Sequence, residues 1–280
     1  MRKWMMVTIA SFILVMWGTF LYAYPTLVQG VDNDAYFNNY ENWVDVDQSG
    51  SISAGDYFYG ILSVQNINVG GTTVWYQGAN DQFSGYFLIE VASVTDPDND
   101  PTTADSTITF KPYSGITDPY GILDPTAGEV MALYTDTTTP FEYNGITVAD
   151  DIAKATDGTL WATLTTNGGY WYTPNAPLKP PGGGNKVGTS FAGLYFVQDN
   201  TGEPGWKLIN DPLEGIVNAN VQVYFQSEIE DYGPNGINGT WQFGSNDPAT
   251  MHPLPEPTTL LLLGTGLIGL AGIGRKKKKK

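Results

Sequence analysis

The sequence predicts a mainly β protein, an antiparallel β-sandwich or barrel-like domain with a short helical segment and an acidic loop near its start. Three observations carry this. Between about residues 57 and 244, short apolar-aromatic runs are separated by clusters of Gly, Pro, Asn, Asp and Thr, the spacing of strands joined by turns. Several runs alternate with the two-residue period of a half-buried strand, as in Val221, Val223 and Phe225. Both ends of the 280-residue chain are apolar segments beside basic residues, which read as processing signals and not as part of the fold.

From the N-terminus, Arg2 and Lys3 precede an apolar stretch over residues 4–22 that closes on Ala23. A positive start, an apolar run and a small residue at its end make a secretory signal peptide, residues 1–23, removed by signal peptidase after Ala23. The alternative is an uncleaved anchor helix. Both place residues 24–254 outside the cytoplasm.

In residues 35–44, Tyr36, Tyr40, Trp43 and Val44 follow the i, i+4, i+7, i+8 spacing of an amphipathic helix. The twelve residues after it carry oxygen-bearing side chains at the first, third, fifth, ninth and twelfth places: Asp45, Asp47, Ser49, Ser53 and Asp56. Gly50 stands where the chain must turn sharply, Ser51 offers a backbone carbonyl, and Ile52 is the apolar residue that points to the core. Hard oxygen donors in that number suit Ca²⁺, which accepts six to eight ligands in flexible geometry. The segment resembles the EF-hand and dockerin-type calcium loop, present once. That resemblance implies Asp45, Asp47, Ser49, Ser51, Ser53 and Asp56 as a metal site. Asp56 stands where Glu is usual, which shortens its reach. The alternative is an acidic, merely solvated turn. After the loop, a short exit helix and a strand opening at Tyr57 are equally open.

Strand-like runs follow over residues 72–77, 86–94, 106–110, 130–134, 159–165, 190–197 and 220–228, rich in the β-branched and aromatic residues that fit a pleated surface. Residues 148–155 are the second helix candidate. A second acidic run, Asp96, Asp98, Asp100 and Asp105, lacks the turn glycine and carries Pro97 and Pro101; it reads as a solvated hairpin loop. Residues 174–184, with four prolines and three glycines, cannot sustain a ladder and read as a long exposed loop within one domain. Trp75 and Trp161 read as core. Tyr170, Trp171 and Tyr172 remain a candidate surface platform for stacking on sugar rings.

At the C-terminus Pro255, Glu256 and Pro257 lead into an apolar segment over 258–274, then Arg275 and five lysines. Seventeen helical residues reach roughly 26 Å, just short of a ~30 Å hydrocarbon core, and lysine side chains can snorkel to close the gap. The basic cluster stays cytoplasmic. The three parts in this order resemble the PEP-CTERM sorting signal, so residues 255–280 are expected to be recognised and cleaved by an exosortase-type membrane protease in a Gram-negative envelope. The family is defined by its tail, so the resemblance gives an address and no activity.

Charge and composition exclude several classes. Outside the two basic clusters, five lysines face 29 carboxylates, a balance near −24; such a field repels nucleic acid and attracts cations. The chain has no cysteine, hence no thiol chemistry or disulfide, and its one histidine, His252, lies beside the tail. No nucleophile motif or phosphate loop is present. Carboxylate pairs drawn from Glu90, Glu129, Glu142, Asp150, Asp151, Glu228 and Glu230 are conceivable for glycoside hydrolysis. The favoured expectation is a non-enzymatic surface or matrix protein, structural or adhesive in exopolysaccharide and stabilised by calcium. A carbohydrate-binding module is the alternative, and a glycan-active enzyme the third.

Overall fold

The computed structural model describes residues 27–255 except 79–80, 138–146, 204, 211–219, 234–235 and 238–239, together with Pro25, Leu262 and Thr265. The signal segment 1–23 and the apolar tail segment lie outside these residues, save for the last two named. Among the described residues the strands are β1 (Asn33–Val44), β2 (Tyr57–Val69), β3 (Thr72–Tyr76), β4 (Gln82–Thr95), β5 (Ser106–Pro112), β6 (Glu129–Asp136), β7 (Thr159–Ala176), β8 (Asn185–Asp199), β9 (Ile209–Asn210), β10 (Asn220–Val221), β11 (Val223–Asp231) and β12 (Phe243–Met251). An α-helix, α1 (Val148–Ala155), precedes β7.

Eight of the strands close a ring, β1-β12-β11-β8-β7-β5-β4-β2 and back to β1, every pairing antiparallel. Closure pairs each of these eight strands on both sides, while β3 pairs with β2 alone and stays a short edge. Strands β5 and β6 share one slot. Both lie between β4 and β7, with β5 against residues 89–95 of β4 and β6 against residues 82–87. They are two halves of a single stave, and residues 113–128 are ejected between them.

Alternation divides the buried side chains between the inside and the outside of the barrel. Phe37, Phe58, Leu62, Phe87, Ile89, Val91, Trp161, Leu164 and Phe243 point inward and fill the lumen, as an eight-stranded barrel allows. Tyr86, Leu88, Ile61 and Trp241 point outward, where α1 and the ejected segment cover them with Ile152, Ala155 and Leu123. Trp75 and Trp161 are buried, as expected.

Residues 35–44 are not a helix; they are most of β1. The 3.6-residue spacing of Tyr36, Tyr40 and Trp43 coexists with a two-residue set, Asn33, Ala35, Phe37, Asn39 and Glu41, and it is this second set that is buried. Pairing with β2 on one side and β12 on the other decides the matter. The exit segment likewise opens a strand at Tyr57, so the acidic loop is borne by a hairpin and not by two helices. The expected helix over 148–155 is present. In the Pro/Gly stretch, Pro174 to Ala176 still belong to β7, at a register shift against β5 and with Asn175 at a φ of 53°; a bulge is where a strand tolerates proline. The loop proper spans 177–184, and the strands on both its sides close the same barrel.

The loops 45–56, 96–105 and 177–184 gather at one barrel end. The Ile52 amide donates to the Leu178 carbonyl at 2.7 Å, and the Lys179 amide to that of Pro101 at 2.7 Å. At the opposite end the chain enters before β1 and leaves after β12: the Gly30 amide donates to the Pro253 carbonyl at 2.7 Å.

Candidate functional site

The loop 45–56 is closed at its base by the Val44–Tyr57 pair of the β1–β2 ladder. Gly50 adopts a φ of 73°, the left-handed geometry glycine accepts without steric cost, and Gln48 lies at 58°. These turns fold the loop's amides back onto its own carboxylates. Asp45 accepts from the Ser49 amide at 3.1 Å and the Gly50 amide at 2.7 Å; Asp47 accepts from the Ser49 amide at 3.0 Å and the Ser53 hydroxyl at 3.1 Å. The Ser49 hydroxyl donates to the Ser51 carbonyl at 2.8 Å. All six residues singled out in the sequence therefore share one hydrogen-bonded loop.

Asp56 differs from the rest. It is buried, and its carboxylate accepts from the Val46 amide at 2.9 Å, the Ser53 amide at 2.8 Å and the Trp43 indole at 3.2 Å. A carboxylate has about four lone-pair positions, so most of Asp56 is spent clasping the loop. Trp43 is a contributor that helical reasoning misplaced: two residues before Asp45 on a hairpin, it faces the loop's far end. Ile52 is buried and seals the lumen beneath the loop.

One oxygen each from Asp45, Asp47 and Asp56 lie within 4.8 Å of one another. Two ligands of a Ca²⁺ ion at about 2.4 Å can stand no more than about 4.8 Å apart, so this spacing fits one ion. Hydrogen bonds from Ser49 and Ser53 hold the Asp47 carboxyl below the usual carboxylate range, which keeps it charged for a cation. Asp96, Asp98 and Asp105 form a second group of the same compactness on the neighbouring loop. Desolvation and the adjacent Asp98 push the Asp96 carboxyl up.

At the other end of the barrel, the start of the tail is pinned. Pro253 bridges Trp206, the Leu254 amide donates to the Gly205 carbonyl at 2.8 Å, and His252 Nδ1 lies 2.7 Å from Asp32. Residues 253–277 match the PEP-CTERM protein-sorting motif. The chain carries a PEP-CTERM sorting tail. That motif supports an exported protein processed by exosortase, a membrane protease. No curated protein and no solved structure matches the chain. Of the tail's expected recognition residues, Pro255 is described and packs near Gly30, while Glu256 and Pro257 lie outside the described residues. Among the described residues no helix is long and apolar enough to cross a membrane.

Between the PEP-CTERM tail and the acidic loops, the aromatic trio does not form a platform. Tyr170 and Tyr172 are buried with Val221 and pack against Phe191, Tyr195 and Tyr224, and Trp171 points the other way, into the lumen, against Phe87 and Phe110. Strand alternation sends the three side chains to two faces, both covered. The candidate carboxylates are scattered too. Glu90 binds Lys111 at 2.9 Å and the Ser114 amide at 2.7 Å; Glu129 accepts from Thr163 at 2.6 Å; Asp151 accepts from the Trp241 indole at 2.9 Å. Glu142 lies outside the described residues. Glu228 and Glu230 share the outer face of β11.

Proposed function

We propose that this barrel is a non-catalytic, calcium-stabilised component of the cell surface or extracellular polysaccharide matrix, with a structural or adhesive role. The observation that carries the reading is the loop at 45–56, where three carboxylates within 4.8 Å of one another join the hydroxyls of Ser49 and Ser53 and the Ser51 carbonyl. Asp45, Asp47, Ser49, Ser51 and Ser53 would supply most of the ligation, with Asp56 chiefly holding the loop in shape. With so few carboxylates free to ligate, affinity on the order of 10⁻⁴ to 10⁻³ M is expected, the range of extracellular modules. Binding would then be constitutive outside the cell.

Placement agrees with this. The chain leaves the barrel at the end opposite the acidic loops, so a precursor held by its tail presents those loops away from the membrane. A barrel whose eight wall strands are all paired leaves little edge for crowded chains to template on.

The test is thermal unfolding in calcium and in chelator, beside Asp45→Ala/Asp47→Ala. A ligand confined to the folded state adds about 2.7 kcal/mol at a hundredfold excess over Kd, or about 5–10 °C for a domain of this size. A calcium-dependent rise that disappears in the double variant is expected. An identical midpoint with and without 10 mM calcium would make the loop a solvated turn.

A further inference from the structure

On the outer wall lies a groove of about 320 Å³ lined by Asn38, Tyr40, Glu228, Glu230, Tyr232, Ile237, Gly244 and Asn246, among others. Its floor is three adjacent strands, β1, β12 and β11. Tyr40 pairs across to Gly244, which pairs on its other side with Glu230; Asn38 pairs with Asn246 in the next outward-facing row. The register that matches Ile229 with Ser245 puts Glu228 in that same row. The outward grid thus reads Tyr, Gly, Glu over Asn, Asn, Glu.

The notch exists because Gly244 has no side chain. A Cβ there would stand 3.2 Å from the Tyr232 ring and 3.4 Å from the Asn39 carbonyl, so any larger residue fills the space between Tyr40 and Glu230. The end of the groove is closed by Tyr232, whose hydroxyl donates to Glu230 at 2.7 Å. That bond, together with burial, pushes the Tyr232 phenol up to about 12. Lys186 pairs with Glu228. Each carboxylate therefore has a charged or hydroxyl partner and still offers further lone pairs.

The chemistry selects a class of ligand. Two glutamates exclude an anion. The two amides donate and accept at once, and carboxylates accept from hydroxyls, so the set matches vicinal diols. The Tyr40 and Tyr232 rings and Ile237 give apolar surface for C–H-rich ring faces. We infer that this groove binds a neutral saccharide unit of a glycan chain. Glu228 and Glu230 project from one strand, hence from one wall, and do not flank a ligand as a hydrolytic pair does. The proposal rests on the extracytoplasmic reading only for access to glycan, and not on calcium.

The test uses the full chain in a non-saccharide detergent such as lauryldimethylamine oxide, titrated calorimetrically with maltohexaose, cellohexaose and laminarihexaose. At least one should bind, with affinity falling tenfold or more in Asn38→Ala/Asn246→Ala and in Gly244→Ala while the thermal midpoint holds. Asp45→Ala/Asp47→Ala should bind as the unaltered chain does, which separates this site from the calcium loop. The proposal is overturned if none of the three hexasaccharides binds at millimolar concentration, or if binding survives both groove variants. Polygalacturonate competing as well as the neutral chains would overturn it equally.

Discussion

Asp56 and its neighbours Asp45 and Asp47 carry the same functional group in one loop, yet burial gives them different tasks. Asp56 is nearly inaccessible and collects two amides and an indole N–H, whereas Asp47 is exposed and bonds chiefly to exposed loop atoms. Removing a buried acceptor leaves its donors unsatisfied, at about 1–3 kcal/mol, more for charged groups. Asp56→Ala should therefore lower stability by about 3 kcal/mol in chelator as well as in calcium, read as a midpoint lower by about 6–12 °C. Asp45→Ala/Asp47→Ala should be near-neutral in chelator. Equal losses in chelator for both variants would assign all three residues the same structural task.

Among the elements, the interrupted stave is the least expected. Residues 113–128 leave the wall between β5 and β6 and are fastened back onto it by Glu90, which accepts from the Ser114 amide at 2.7 Å, and most extensively through Asp118. The Asp118 carboxylate accepts from the Tyr86 hydroxyl at 2.9 Å and from the amides of Tyr120, Ile122 and Leu123 at 3.0, 2.9 and 3.0 Å. The segment in turn covers outward Tyr86 and Leu88. Burial and Asp118 together push the Tyr86 phenol far above its ordinary value, so it stays a donor at any working pH. Asp118→Ala should cost about 3 kcal/mol and raise amide exchange across residues 118–123 before the barrel strands exchange. Exchange that rises first in β5 and β6 would mean the insert props up the stave and not the reverse.

At the scale of the whole molecule, acidity governs the response to pH. Burial alone would raise the Glu90 carboxyl, but the Ser114 hydroxyl and amide and Lys111 outweigh it and hold the group below its usual range. Hydrogen bonds from Ser49 do the same for Asp47, those from Thr102 for Asp100 and those from Thr126 for Asp124. Stability from such groups is present above the unfolded carboxylate pKa and is lost as pH falls through the folded values. Desolvation raises Asp81, Asp96 and Asp157, helped in the last two by carboxylate neighbours. These groups bind protons more tightly when folded, so acidification through their raised values adds stability. In chelator the raised groups should thus add stability as pH falls toward the ordinary carboxylate range of about 4, and the lowered groups should take it away below that. A steady decline from pH 7 downward, followed by circular dichroism, would contradict this balance.

How much of this could be read without coordinates varies with the range of the interaction. Turn clusters, alternation and β-branched runs are local, and they sufficed for an antiparallel β fold, for the helix at Val148–Ala155 and for seven of the strands. The sorting motif is linear and was legible whole, as were the residues of the acidic loop. Strand β1 was not, because the helical spacing of Tyr36, Tyr40 and Trp43 coexists with the two-residue spacing of Ala35, Phe37 and Asn39, and only the hydrogen bonds from β2 and β12 choose between them. The Tyr170 to Tyr172 trio looked available for ligands because nothing nearby in sequence reveals Val221 and Phe87 as its covers. The polar groove was invisible for the same reason: Asn38, Glu230 and Gly244 are distant in the chain and meet only across three strands. The sequence by itself determined the class of fold, the sorting address of the chain and which acidic residues share one loop. Closure of the barrel, the split stave and what covers each face were decided only by tertiary pairing, because which strands become neighbours is a choice between segments far apart in the chain, while local alternation and turns constrain only the register once they meet.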